Sequence, residues 1–392
     1  MNKTGFSEKE IMMNKDEIRK HFAYLKTGII YFNHASTGPI PDFTVEAVKN
    51  YLYQRSEDSI DNYEDVLRIV KETKELVARF INTSPDRIAF VDNVSNAMNL
   101  LSQGLRWKEG DEIILFDIEF PANVYPFLNL EKLGVKVKIL KTQNGRISFD
   151  EIEKNISSRT KLLSISHIQF LSGYCADLEK IGNLCRENGI IFSVDAIQSL
   201  GVVEIDVQKM KIDYLASGIQ KWFLGLEGTT IIYISKSLQE KIDQKYVGWL
   251  SMKDAWNILD YKLDLDESAH RFENGTLNYT GIVSLHSNIK FFQSIGINEI
   301  EKSVIENTKY FIRLLEDEKF EFFFKPEVDE EMSGIITIKV KDSEFVFREL
   351  KQRKIHTSVR EGYLRFSPHF YNTKEEIEEV VKSLRDITNK TL

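Results

Sequence analysis

Two periodicities alternate along this chain. Short runs of consecutive apolar residues predict strands: "DEIILF" (111–116), "VKVKIL" (135–140), "KLLSIS" (161–166), "GIIFSVD" (189–195), "DYLASG" (213–218) and "TTIIYIS" (229–235). Between them, apolar positions recur every third or fourth residue, as in "DLEKIGNLCRENG" (177–189), and predict amphipathic helices. A further helix is expected over "FTVEAVKNYLYQRSE" (43–57), just after the turn-forming "STGPIPD". Near-continuous apolar strands alternating with helices imply an α/β fold: a mostly parallel sheet covered by helices on both faces. From about residue 290 the pattern changes. Long charged helices, "GINEIEKSVIENTKYFIRLLEDE" (296–318) and "EEIEEVVKSLRDITNK" (375–390), flank the strand candidates "GIITIKV" (334–340) and "GYLRFSP" (362–368). The expected organisation is a polar, helix-forming arm over 1–28, a large domain over 29–288 and a smaller C-terminal α+β domain over 289–392.

Composition narrows the class. The 392 residues are 42% apolar and 29% charged, a globular balance. The net charge of -8 comes from interspersed signs, which argues against a nucleic-acid partner. No apolar run reaches the roughly 20 residues of a membrane helix, and the first residues lack a secretory apolar core, so no membrane association and a cytoplasmic setting are expected. Two cysteines, Cys175 and Cys185, form no disulfide framework, and the seven scattered histidines offer no metal site.

The strand ends carry the candidate chemistry. In an open parallel sheet, ligands bind beyond the carboxyl ends of the strands. "LLSIS" runs into His167, "IIFSV" into Asp195 and then Gln198, "YLASG" into Lys221, and "EIILFD" into Glu119 and Phe120. Each residue has an ordinary alternative: Asp195 as a helix cap, His167 as a hydrogen-bonded structural residue, Phe120 as core, Lys221 as a solvated loop residue. Their joint placement favours chemistry. An amine in a partly desolvated site forms a Schiff base with an aldehyde cofactor. Pyridoxal phosphate needs that amine, a carboxylate at its ring nitrogen, an apolar ring face and amide donors for its phosphate. "FVDNVSNAMNLLSQGL" (90–105) fits the last need: a strand end, then Ser95 and Asn96 opening an apolar helix.

These pieces, with the order and spacing of "SVDAIQSLG" and "SGIQKW", resemble the class V aminotransferase family of pyridoxal-phosphate enzymes. The resemblance runs from "YFNHASTGPIP" (31–41) to "LRFSPHFYNTKEEI" (364–377) and implies the fold type I architecture. It implies Lys221 as the Schiff-base lysine and, once displaced, as base for the substrate α-proton. It implies Asp195 at the pyridinium nitrogen, Gln198 at the phenolic oxygen and Phe120 on the ring face, with His167 among the cofactor-binding strand-end residues. Ser95, Asn96 and Ser217 hold the phosphate, with Gln220 where relatives often carry histidine. "RFENGTLNY" (271–279) is similar to a segment that crosses a dimer interface, so Thr276 is expected at the partner's phosphate in a homodimer with shared active sites. Arg365 is expected to bind the substrate carboxylate; His34 is expected either to border the substrate or to belong to a purely structural turn; Trp249 is read as packing or as a pocket wall. The implied reaction acts on an amino acid, with carbon–sulfur β-elimination ahead of transamination or epimerisation. One departure matters: the cysteine that desulfurases of this family use to accept sulfur has no counterpart in "KIHTSVREGYLRFSPHF" (354–370).

Overall fold

The computed structural model describes residues 14–389. At its centre is a seven-stranded sheet in the order Ile88–Val91, Thr230–Ile234, Tyr214–Gly218, Ile191–Asp195, Thr160–Ser166, Glu112–Phe116, Lys136–Leu140. All six predicted strands are present within a residue or two of their expected ends. The alternation of side chains explains why the strands read as continuous apolar runs. Ile113 and Leu115 enter one buried cluster, Ile114 and Phe116 the other, on opposite faces of the sheet. Lys136–Leu140 is the exception. It is an edge strand, and its exposed or half-buried Lys136 and Lys138 guard the unpaired edge.

Six strands run in one direction, and Thr230–Ile234 is antiparallel to both its neighbours. The physical reason is the connection 219–229, which holds no helix and is too short for a parallel crossover, which takes a dozen or more residues. That short return forces the chain to leave Gly218 in a tight loop, and Lys221 sits in it.

Helices Asp42–Glu57, Tyr63–Phe80, Leu178–Glu187 and Tyr279–Ile295 pack about the sheet. The expected boundary between 288 and 289 falls inside Tyr279–Ile295. The chain breaks direction instead at Gly296, whose φ of +90° ends the helix and precedes Ile297–Asp317. Beyond it, strands Ser358–Arg360, Tyr363–Phe366, Ile336–Lys339 and Glu321–Phe322 form a four-stranded antiparallel sheet in that order. Of the expected arm, 1–13 lies outside the described residues; Phe22 is buried and stacks on Tyr371, with ring centroids 3.9 Å apart. Among the described residues, no helix is long and apolar enough to cross a membrane.

The segment 30–38 joins the two sheets. Ile30–Tyr31 pairs with Ile355–His356, and Gly38 N–H donates to the Gln220 carbonyl at 2.8 Å. A Cβ on Gly38 would lie 2.2 Å from the Lys221 carbonyl oxygen and 2.7 Å from Leu224 Cδ2. Gly38→Ala should therefore destabilise the fold by about 1–3 kcal/mol, the usual cost of overpacking, and displace the Lys221 loop. Thermal denaturation reads the loss; an unchanged Tm would show that the loop yields freely.

Candidate active site

Strand register brings the predicted chemistry together. Ser166 pairs with Asp195 and Asp195 with Ala216, so Thr160–Ser166 and Ile191–Asp195 end level and Tyr214–Gly218 runs two residues further. His167 N–H donates to the Asp195 carbonyl at 3.0 Å. Lys221 is part-buried, and its Nζ lies 5.6 Å from the centroid of the Phe120 ring.

Asp195 is buried. Its Oδ1 accepts the Ile197 N–H at 3.0 Å, while its Oδ2 has no partner among the described residues. Burial pushes its carboxyl upward, the Ile197 N–H opposes this, Glu119 adds to it, and Lys221 pulls it back. Burial pushes the Lys221 ammonium downward; Asp195 opposes this, while Arg365 and Arg360 reinforce it. The amine is thereby biased toward its neutral, nucleophilic form. His167 is buried, held by burial at about 4 and so neutral; its Nδ1 is also unpartnered, and its Nε2 lies 3.5 Å from Cys175 Sγ. Gln198 is held from behind: Nε2 donates to the Ala35 carbonyl at 3.0 Å, and Oε1 accepts from Trp222 Nε1 at 2.8 Å.

The expected phosphate residues are less uniform. Ser95 and Asn96 are exposed in the first turn of Val94–Gly104. Asn96 Nδ2 is already engaged, at 2.7 and 2.9 Å, by the two carboxylate oxygens of Asp92. Its N–H is capped by the Asn93 side chain at 2.9 Å. Ser217 is buried and donates weakly to the Ala196 carbonyl at 3.3 Å. Gln220 folds back against Gly218. Thr276 is exposed and shares with Asn96 a cavity of about 640 Å³, which Lys221, Asp195 and Arg365 do not line. Trp249 stands at the edge of the same loop region, beside Gly275 and edge-on to Trp256 at 5.3 Å.

Arg365 comes from the four-stranded sheet and is 1% exposed. Its Nη1 donates to the Phe170 carbonyl at 2.7 Å, its Nη2 to Ser36 Oγ at 2.8 Å and its Nε to Ser358 Oγ at 3.3 Å. Arg360 Nη2 donates to the same Ser36 Oγ at 3.0 Å. Neither arginine meets a carboxylate among the described residues. Burial, and then Arg360, lower the Arg365 guanidinium to about 9. Two cations drawn to one hydroxyl, without a counter-ion, form a site for an anion.

His34 is fully buried, with Nδ1 2.9 Å from the Ser367 carbonyl and Nε2 2.6 Å from Tyr371 Oη, and it packs on Trp222 and His369. Burial depresses it to about 3, so it is a neutral residue packed behind the Lys221 loop. Ser36, two residues on, is the member of that segment that faces the arginines. Phe170 and Ser36 escaped sequence reasoning because neither has chemistry of its own: one contributes a carbonyl, the other a shared acceptor.

The family model described as "Aminotransferase class-V" matches residues 30–380. A probable cysteine desulfurase of Pyrococcus abyssi is 30% identical over 94% of this chain and 98% of its own. Another, of Methanothermobacter thermautotrophicus, is 29% identical over 96% and 99%. Among solved structures, the apo cysteine desulfurase of Thermococcus onnurineus is similar with a TM-score of 0.88, at 24% identity, covering 97% of this chain and all of that one. A cystine C–S lyase in complex with its product cysteine persulfide reaches a TM-score of 0.84 at 23% identity, covering 93% of this chain and 99% of that one.

Both cysteines are buried and unpaired, and burial raises each thiol to about 12. At neutral pH neither presents a thiolate. Cys175 and Cys185 should resist aromatic disulfide reagents in the native state and react on unfolding. Cys175→Ser and Cys185→Ser should leave turnover within about twofold, a change worth well under 1 kcal/mol. Fast native labelling of either thiol would contradict this burial.

Proposed function

The chain belongs to the class V aminotransferase family, and from that premise we propose that it is a pyridoxal-phosphate enzyme that cleaves a carbon–sulfur bond in a cysteine-type amino acid. The observation that carries this reading is the unpartnered Asp195 Oδ2 at the edge where a dehydrated Lys221 also ends. A buried carboxylate oxygen without a donor is costly, and a protonated ring nitrogen is the donor it lacks. The residues present fit the cofactor: Lys221 to hold its aldehyde carbon, Asp195 its ring nitrogen, Phe120 its ring face, Gln198 its phenolic oxygen, and Ser95, Asn96, Ser217 and Gln220 its phosphate. His167, neutral and with a free Nδ1, stands beside Asp195. When bound, the cofactor supplies an electron sink that stabilises negative charge at the substrate α-carbon.

This chain's residues do the rest. Arg365, supported by Arg360 and Ser36, holds the substrate carboxylate and fixes which bond stands free for cleavage. Lys221 Nζ, once released from the cofactor, takes the α-proton as general base, a role its depressed proton affinity suits. With no accessible thiol among the described residues, sulfur leaves on a small molecule and not on the protein. The buried, unpaired thiols also suit a reducing, cytoplasmic setting.

We place the active sites in a homodimer. Thr276 is exposed on a loop pinned by the buried Glu273, which accepts from Phe90 N–H at 2.8 Å and Lys74 Nζ at 2.8 Å and also pairs with His270. A loop so firmly held, yet ending in an exposed threonine, suits delivery of a ligand to a second subunit.

Three outcomes test this reading. Borohydride treatment of cofactor-loaded protein, followed by peptide mapping, should place the adduct on Lys221; an adduct on another lysine overturns the assignment. Arg365→Lys should lower kcat/KM for amino acids by about two to four decades, since breaking a buried charged contact costs about 3–5 kcal/mol. A loss below twofold would move the carboxylate site elsewhere. Mixing Lys221→Ala with Thr276→Ala subunits should restore up to about a quarter of wild-type turnover, because half the dimers are mixed and each has one intact site. No recovery would place Thr276 outside the partner's site.

A further inference from the structure

Glu119 is a buried anion that the reaction, as read above, does not use. It is 7% exposed and accepts from Asn123 Nδ2 at 2.9 Å, Ser166 N–H at 2.9 and 3.1 Å, Ser166 Oγ at 2.5 Å and Gln169 Nε2 at 2.7 Å. Burial pushes its carboxyl upward, and the N–H, amide and hydroxyl groups gathered on it oppose that push and favour the ionised form. Its neighbour in sequence, Phe120, is the aromatic face beneath Lys221 Nζ. One of its donors, Gln169, opens the turn 169–174, closed by Gln169 N–H to the Tyr174 carbonyl at 3.0 Å and Gly173 N–H to the Gln169 carbonyl at 2.9 Å.

That turn is where the seven-stranded sheet meets the four-stranded one. The carbonyls of Phe170, Leu171 and Gly173 accept, in order, from Arg365 Nη1 at 2.7 Å, Thr337 Oγ1 at 2.6 Å and Ser333 Oγ at 2.7 Å. Cys175 N–H donates to the Glu331 carbonyl at 3.0 Å. Gly173 has φ +78°, and a Cβ there would meet the Ile335 carbonyl oxygen at 2.3 Å, so the turn presses directly on the entry to strand Ile336–Lys339. The Phe170 ring stands edge-on to Phe120, centroids 5.4 Å apart. Both routes out of Glu119 therefore end in the site: through Phe120 to the amine, and through Gln169 and Phe170 to the guanidinium.

We propose that Glu119 and Gln169 form a positioning strut that fixes Arg365 at a set place relative to the Lys221 and Phe120 edge. The strut touches neither substrate nor cofactor. It determines how well a carboxylate and an amino group on the same carbon meet their two anchors at once. The proposal rests on the reading of Lys221 as cofactor anchor and Arg365 as carboxylate anchor. A tilt in the turn shifts the Phe170 carbonyl, frees the guanidinium and weakens recognition of the carboxylate without altering recognition of the amine. Misplacement by about 1 Å is enough to cost 100-fold where two anchors must be met together.

The test separates those two terms. Cofactor-loaded protein is titrated with L-alanine and with ethylamine, which differ by the carboxylate, and binding is followed in the cofactor absorbance. The ratio of the two dissociation constants reports the carboxylate anchor alone. Gln169→Leu removes one donor and leaves Glu119 its bonds to Ser166 and Asn123, so it preserves the fold even if Glu119→Gln does not. Gln169→Leu should shrink the ratio at least tenfold, with ethylamine affinity and the unliganded spectrum unchanged. Glu119→Gln should do the same where it folds. If Gln169→Leu leaves the ratio intact while Arg365→Lys collapses it, the strut is overturned and the carboxylate anchor stands. If Arg365→Lys leaves the ratio intact as well, both fall.

Discussion

An amine and a carboxylate are held at one sheet edge without an ion pair between them, and the surrounding structure is arranged to bear that cost. Asp195 keeps one carboxylate oxygen without a donor. Lys221 has the attraction of Asp195 opposed by Arg365 and Arg360. Taking either charge out of water costs several kcal/mol, and apolar replacement of such groups is often neutral or stabilising. The arrangement is therefore no stability device. What tolerates it is the close-packed sheet behind: Val194, Ala196, Leu215 and Ala216 are all fully buried.

The sheet was legible in the sequence because its strands are buried on both faces, and such strands read as unbroken apolar runs. The helix Tyr279–Ile295 was not, because it is buried around most of its circumference: Ile282, Val283, Leu285, Ile289, Phe291 and Phe292 leave no polar stripe to give a period. The antiparallel strand Thr230–Ile234 was found as a strand but not in its direction. Direction depends on whether 219–229 contains a crossover, which local apolar pattern does not report.

In the site, residues whose role follows from their place at a strand end were legible. Asp195, His167 and Lys221 come together because neighbouring parallel strands end at one edge. Residues whose role depends on long-range packing were not. His34 was open to a place beside the substrate or in a structural turn, and the fold carries it inward between Trp222 and Tyr371. Asn96 was expected at the phosphate from its place in the first helical turn, and Asp92, just before the helix, already accepts from its amide. Both cases share a cause: a polar side chain's partner limits what it can do, and only the fold names the partner.

The division of charge across the site has its own logic. Asp195 ends a strand of the seven-stranded sheet, and Glu119 lies in the loop just past another, Glu112–Phe116. The guanidinia Arg360 and Arg365 flank the hairpin turn at Glu361 and Gly362, whose φ values of +47° and +81° suit a tight two-residue loop. On the proposed reading, an α-amino acid offers a carboxylate to Arg365 and an amino group to the cofactor carbon held at the Lys221 edge. A field set by rigid elements orients such a ligand before any bond changes, and it does so without reorganisation at the moment of reaction. That requires the distance between the sheets to be constant, so the contacts through segment 30–38 and the turn 169–174 matter as much to the chemistry as the charged groups they separate.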